Sequence, residues 1–325
     1  MARIKWFFWN TEEHRLRFLW RLVVFALFFA VIVAAVQALI YFLLPGISDV
    51  LHDEMVAKDL ALSAISENIT VLALLLTLVI IGRFVDKRPF SDYGFRMGKQ
   101  WLWDFVFGLF LGALLMIGIF STEYALGWVQ IAGFLHSPGS ISFIPAIFIA
   151  LILFIGGAFL EEIMTRGYLL HNLAEGLNFK FWRPAIALIL AWLISSSLFG
   201  LMHLGNPNAT AVSTANLMLA GLFLGLGYIL TNNLALPIGL HLAWNFFQGN
   251  VFGFPVSGTS FNSVTFIAID QRGPELWTGG AFGPEAGIIG LFAIGIGALL
   301  ILAWVKWRYG QIRLQLSIPQ PPPRA

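Results

Sequence analysis

The chain has 325 residues, 58% hydrophobic, 15% aromatic and only 11% charged, with a formal net charge of +2. A water-soluble domain carries about 25% charged residues, so this balance excludes a soluble globular protein, and so small a net charge argues against nucleic acid as a partner. There is no cysteine, which excludes disulfides, thiolate metal sites and a cysteine nucleophile.

Hydropathy taken in chain order predicts eight membrane spans, about 22–44, 66–84, 101–122, 144–166, 184–204, 213–231, 234–252 and 286–305. The expected fold is therefore an all-α, polytopic membrane helix bundle. Its first run, Leu22 to Leu44, exceeds the apolar part of a signal peptide and reads as a retained span. Seventeen of the nineteen Lys and Arg residues fall in the N-terminal segment, the 83–100 loop, the 166–183 segment and the tail. By the positive-inside rule both termini face the cytoplasm, in an integral multi-pass protein of the plasma (inner) membrane.

Between the spans, the first external loop is acidic (Asp49, Asp53, Glu54, Asp59) and reads as solvated. Tryptophans such as Trp20, Trp101, Trp103, Trp182, Trp304 and Trp307 sit at span ends, as interfacial anchors do, and Asp104 is expected to point to the same interface. Gly108-x-x-x-Gly112 and Gly221-x-x-x-Gly225 permit close helix packing. The loop 251–285 is a candidate cap over an external surface, and the proline-rich end from Pro319 reads as a disordered tail. Three regions are expected: 1–143 with three spans, 144–252 with four, and 253–325 with the external loop, the last span and the tail.

One stretch breaks the apolar pattern: Phe159-Leu160-Glu161-Glu162-Ile163-Met164-Thr165-Arg166-Gly167. An ionised side chain within a bilayer costs roughly 2.5–3.5 kcal/mol on insertion scales, so such residues are rare and functional by default. Glu162 and Arg166 are four apart and can pair on one helix face. Glu161, rotated about 100° away, is left without a partner. His14, His52, His136 and His171 lie in tails, loops or span ends and read as structural or solvated. His203 follows the polar run Ser195-Ser196-Ser197, and His241 shares a helix face with Asn245, one turn on.

A carboxylate, two imidazoles and a carboxamide on three helices can hydrolyse a peptide bond. Glu161 and a neutral imidazole orient a water and take its proton. A second imidazole and the carboxamide donate to the forming oxyanion. No G-x-S-x-G turn supports serine hydrolysis and no H-E-x-x-H motif is present. Zinc is a further option, because Glu161, His203 and His241 would make a three-ligand set. A proton-coupled transporter is the alternative, with the same three residues as a relay, although its polar residues should then run along several helices.

Glu161-Glu162-x-x-x-Arg166, Phe199-x-x-x-His203 and His241-x-x-x-Asn245, in this order on successive apolar segments, resemble the motifs of the CPBP family. These are the type II CAAX prenyl proteases and the bacteriocin-processing or immunity proteins, also called Abi. The resemblance covers about 144–252 and implies a glutamate-dependent intramembrane endopeptidase. By carry-over, Glu161 and His203 activate water, His241 and Asn245 form the oxyanion site, and Glu162, Arg166 and Phe199 support them. It implies a membrane-associated or lipidated peptide or protein substrate. No cofactor is expected, with zinc held open by older descriptions of the family. A catalytically silent immunity or partner protein of the same fold would carry the same motifs.

One geometric condition follows. Spans four and five run in opposite directions, which would place Glu161 and His203 near opposite faces. The two are expected to meet because span four continues past Arg166 toward Asn172, lifting Glu161 toward the midplane, with tilt or irregular helix ends doing the rest.

Overall fold

The computed structural model describes residues 7–43, 55–137, 141–260 and 263–322, with backbone alone for 40–43 and 55–59. Asp49, His52, Asp53, Glu54 and the side chain of Asp59 lie outside the described residues. Helices dominate: α1 Phe18–Leu43, α2 Met55–Ile81, α3 Lys99–Ala125, α4 Phe143–Gly176, α5 Pro184–Met202, α6 Ala211–Thr231, a shorter α7 Ala235–Phe246, and α8 Ile288–Tyr309. Seven of them, all but α7, are long and apolar enough to cross a membrane.

The seventh expected span, 234–252, is the exception. Its twelve α-helical residues continue for only five more in a wider π-helical turn, Phe247–Val251. At 1.5 Å per residue this covers about 25 Å, short of a hydrocarbon core of about 30 Å. Hydropathy singled it out because every residue from Ala235 to Ala243 is buried inside the protein.

Glycines set how deeply α7 sits. A Cβ on Gly108 would come 2.4 Å from the Leu236 carbonyl oxygen, and one on Gly112 2.5 Å from that of Leu240. Gly239 answers from α7, where a Cβ would lie 2.3 Å from the Phe105 carbonyl. The α3 and α7 backbones therefore touch, as small-residue motifs in membranes allow. The second predicted motif joins α5 to α6: Gly221 lies against Ser196, and Gly225 against the Trp192 indole.

Helix α4 spans 34 residues and does continue past Arg166, as the geometry required. Its middle, Ile163–Leu170, is π-helical, and Thr165 donates its hydroxyl proton to the Glu161 carbonyl there. At its end Glu175 collects three buried arginines: it accepts from Arg21 Nη2 at 2.6 Å and also from Arg15 and Arg88. Residues far apart in sequence thus tie the N-terminal segment and the α2–α3 loop to α4. The tail, as far as Gln320, joins the same end instead of being disordered. Ile318 is fully buried, the Gln320 carbonyl accepts from Arg88 Nη2 at 2.6 Å, and Asn178 donates to the Pro319 carbonyl at 2.8 Å. Asp104 is likewise not interfacial. It is fully buried on α3 and accepts from the Trp304 indole at 2.9 Å and from the Tyr309 hydroxyl.

The 251–285 loop is structured too. Its strand β2, Thr265–Gln271, pairs antiparallel with β1, Val129–His136, in a two-stranded ribbon beside the N-terminus of α4.

The α3–α7 contact generates a stability prediction. Gly112→Val should lower the thermal midpoint in detergent, at a cost of about 1–3 kcal/mol or more. Gly118→Ala and Gly295→Ala, where a Cβ would meet nothing within 4 Å, should be neutral or mildly stabilising.

Candidate active site

Glu161 and Glu162 close the α-helical part of α4, immediately before its π-helical turn. Glu162 is fully buried, and its Oε1 accepts from Arg166 Nη1 at 2.9 Å and from His241 Nδ1 at 2.8 Å. Arg166 spends its other donors on Thr165 Oγ1 (2.8 Å) and the Gly221 carbonyl (2.9 Å). The paired carboxylate accepts only, so the proton between it and His241 sits on Nδ1. That turns Nε2 of His241 toward Glu161, 3.9 Å from its Oε2.

His203 reaches the same point from α5. It caps that helix just past Met202, and its Nδ1 donates to the Phe199 carbonyl at 2.8 Å, one of the acceptors that every helix end leaves free. Its Nε2 then carries the lone pair and lies 3.9 Å from Glu161 Oε2. Phe199 packs against both imidazoles, with ring centroids 5.0 Å from His203 and 6.1 Å from His241, and the Arg166 guanidinium lies over its ring, 4.5 Å from the centroid.

All four residues read as chemical from the sequence, Glu161, His203, His241 and Asn245, line one cavity of about 470 Å³. Distances of 3.9 Å are too long for direct hydrogen bonds, and they suit one bridging molecule between the carboxylate and each imidazole. Glu161 Oε2 is itself buried and has no hydrogen-bond partner among the described residues. Much of the remaining wall is apolar, with Leu153, Phe154, Leu217, Phe223, Leu224 and Ile294 among its residues.

Residues 143–247 match the family model described as Type II CAAX prenyl endopeptidase Rce1-like. The resemblance carried by the three motifs is therefore borne out over that segment. No curated protein and no solved structure matches the chain. The matched segment holds all three motifs and the whole of α4, α5, α6 and α7.

Two further carboxylates line the cavity from outside that segment, Glu67 on α2 and Glu285 just before α8. Glu67 gave a weaker signal than Glu161, since it sits between Ser66 and Asn68 at the edge of the apolar run that follows. Glu285 sits in a Gly- and Pro-rich loop and gave no such signal. It accepts from the Ser257 amide at 2.5 Å, from the Ser257 hydroxyl at 3.2 Å and from the Gln248 carboxamide. The Ser257 carbonyl in turn accepts from Asn206 Nδ2 at 2.8 Å, which ties this loop to the segment after His203.

Burial outweighs those donors and pushes the Glu285 carboxyl up to about 7. The folded protein then holds this proton in a range where the unfolded chain has lost it. Stability from this group is highest below the ordinary carboxylate range, falls as pH rises to about 7, and levels off above. The span corresponds to about 3 kcal/mol. Thermal midpoints should be higher at pH 5 than at pH 8, and Glu285→Gln should flatten that difference. Removing Arg166 leaves Glu162 buried without its cation, at a cost of about 3–5 kcal/mol, so Arg166→Ala should lower expression and the thermal midpoint.

Proposed function

We propose that the chain is an intramembrane endopeptidase that hydrolyses a peptide bond with water activated by Glu161 and His203. The observation that supports this best is the convergence of Glu161, His203 and His241 on one point 3.9 Å from each imidazole, inside a largely apolar cavity that also holds Asn245. Similarity of residues 143–247 to the type II CAAX prenyl endopeptidases supports the reaction class and a lipidated or membrane-associated substrate. The apolar side of the cavity suits such a substrate. Both termini cytoplasmic, and residence in the plasma membrane, complete the proposal.

In the proposed step, water bridges Glu161 Oε2 and His203 Nε2, loses a proton to this pair and adds to the scissile carbonyl carbon. The carbonyl oxygen becomes an oxyanion, which Asn245 Nδ2 and His241 stabilise. His241 can donate from Nε2 only with both ring nitrogens protonated, a form compatible with the carboxylates Glu162 behind it and Glu161 in front. Collapse of the intermediate breaks the C–N bond, and the proton taken from water passes to the leaving amine.

Zinc fits this arrangement poorly. Among the described residues no three His, Asp or Glu side chains are grouped to hold a metal. The 3.9 Å separations also exceed the ~3.4 Å between neighbouring donors of a tetrahedral zinc with bonds of 2.0–2.2 Å. A transporter reading gains no support, because the polar groups meet around one cavity.

The test is cleavage of membrane peptides by purified protein in bilayers. Activity should survive strong chelators and vanish in Glu161→Gln. Asn245→Ala should lose about 10²–10³-fold in kcat, the range for one oxyanion donor. Activity lost on chelation and restored by zinc alone would overturn the metal-free step.

A further inference from the structure

Glu67 lies on α2, outside the segment similar to known peptidases, yet it lines the same cavity as Glu161. Its position is built. Gly156 and Gly157 of α4 open a notch for it: a Cβ on Gly156 would come 2.9 Å from Glu67 Cγ, and one on Gly157 3.9 Å from Glu67 Oε1. The neighbouring Asn68 donates to the Ile152 carbonyl of α4 at 2.9 Å and to the Ala64 carbonyl at 2.8 Å, which sets the register between the two helices.

Glu67 itself has no hydrogen bond or ion pair among the described residues, and its carboxylate interacts electrostatically with that of Glu161. Gly157 is one helical turn before Glu161, so Glu67 stands about one turn along α4 from the point where water would attack. The cavity lining has three carboxylates (Glu67, Glu161, Glu285) and neither lysine nor arginine. Behind the lining, Arg166 is committed to Glu162, and His241 is tied to the same carboxylate. Glu285 is held by Ser257 and Gln248, and Glu161 belongs to the proposed chemistry. Glu67 alone is open to an incoming group.

We infer that Glu67 is a specificity-determining residue that receives a cationic side chain, lysine or arginine, flanking the scissile bond of the substrate. An unpaired, half-buried carboxylate in a cavity gains from an opposite charge brought by the ligand, and gives nothing to a neutral one. The substrate residue in question is about one helical turn from the bond being cut, and the apolar remainder of the peptide meets the apolar wall. Glu67 touches the substrate without touching the reacting atoms. The inference rests on the peptidase reading in one respect, the naming of the scissile bond as the reference point.

The experiment separates binding from cleavage. Fluorescent membrane peptides, identical except for lysine, glutamine or glutamate at each position flanking a central bond, are titrated onto the Glu161→Gln protein in bilayer discs. Cleavage of the same set by the unmutated protein is followed in parallel. Lysine at one position should tighten binding on the order of tenfold over glutamine. Adding Glu67→Gln should abolish the difference, and adding Glu67→Asp should keep part of it. No measurable binding of the lysine peptides, equal affinity for lysine and glutamine at every position, or a preference that survives Glu67→Gln overturns the inference. If discrimination by Glu67 is intact but the unmutated protein cuts no peptide, the cationic subsite stands and the peptidase reading falls.

Discussion

One oxygen organises the structure: Oε1 of Glu162, which accepts from Arg166 and from His241 at once. A fully buried carboxylate is tolerable only when paired and hydrogen-bonded. Arg166 supplies the pairing charge from the next turn of α4, and His241 supplies a second donor from α7. The consequence for chemistry is that the His241 ring cannot turn. Its other nitrogen is aimed at Glu161, the neighbour of Glu162 on the same helix but on a different face. Two adjacent glutamates therefore divide the work by direction, one inward to the scaffold and one outward to the cavity.

Around that oxygen the fold holds groups that gain little from being where they are. Helix α7 is too short to cross a bilayer and is buried on all sides from Ala235 to Ala243, and it reaches that depth because Gly108, Gly112 and Gly239 remove the side chains that would keep α3 and α7 apart. The π-helical turns after Glu162 and after Phe246 interrupt regular helices next to the site, a placement such turns often have at functional positions. The ion cluster around Glu175 and the docked tail fasten the far end of α4. The site is thus held by a rigid frame whose parts come from all along the chain.

Much of the candidate site was legible in the sequence, because polar residues in an apolar chain are conspicuous. Glu161, Glu162 and Arg166 stood out by charge, and Asn245 by its spacing from His241. Even the continuation of α4 past Arg166 followed from asking two helices of opposite direction to bring Glu161 and His203 together. What stayed hidden depends on pairings across long sequence distances. Lys and Arg placement suggests a side of the membrane, yet it does not reveal that Arg15, Arg21 and Arg88 converge on Glu175. Asp104 looked interfacial because its partners, Trp304 and Tyr309, lie about 200 residues away. Hydropathy does not separate a buried helix from a lipid-facing one, so α7 read as a span. The tail was misjudged from its prolines, although Ile318 and the carbonyls of Pro319 and Gln320 carry the contacts.

The central claim is that water, positioned by Glu161 and His203, attacks the peptide bond directly. Single-turnover cleavage of a membrane peptide in heavy-oxygen water, followed by mass spectrometry of both the product and the protein, tests it most directly. The account predicts one heavy oxygen in the new C-terminal carboxylate of the product and none in the Glu161 carboxylate. Heavy oxygen in Glu161 and none in the product would mean that the glutamate had attacked the carbonyl itself, and would contradict the account.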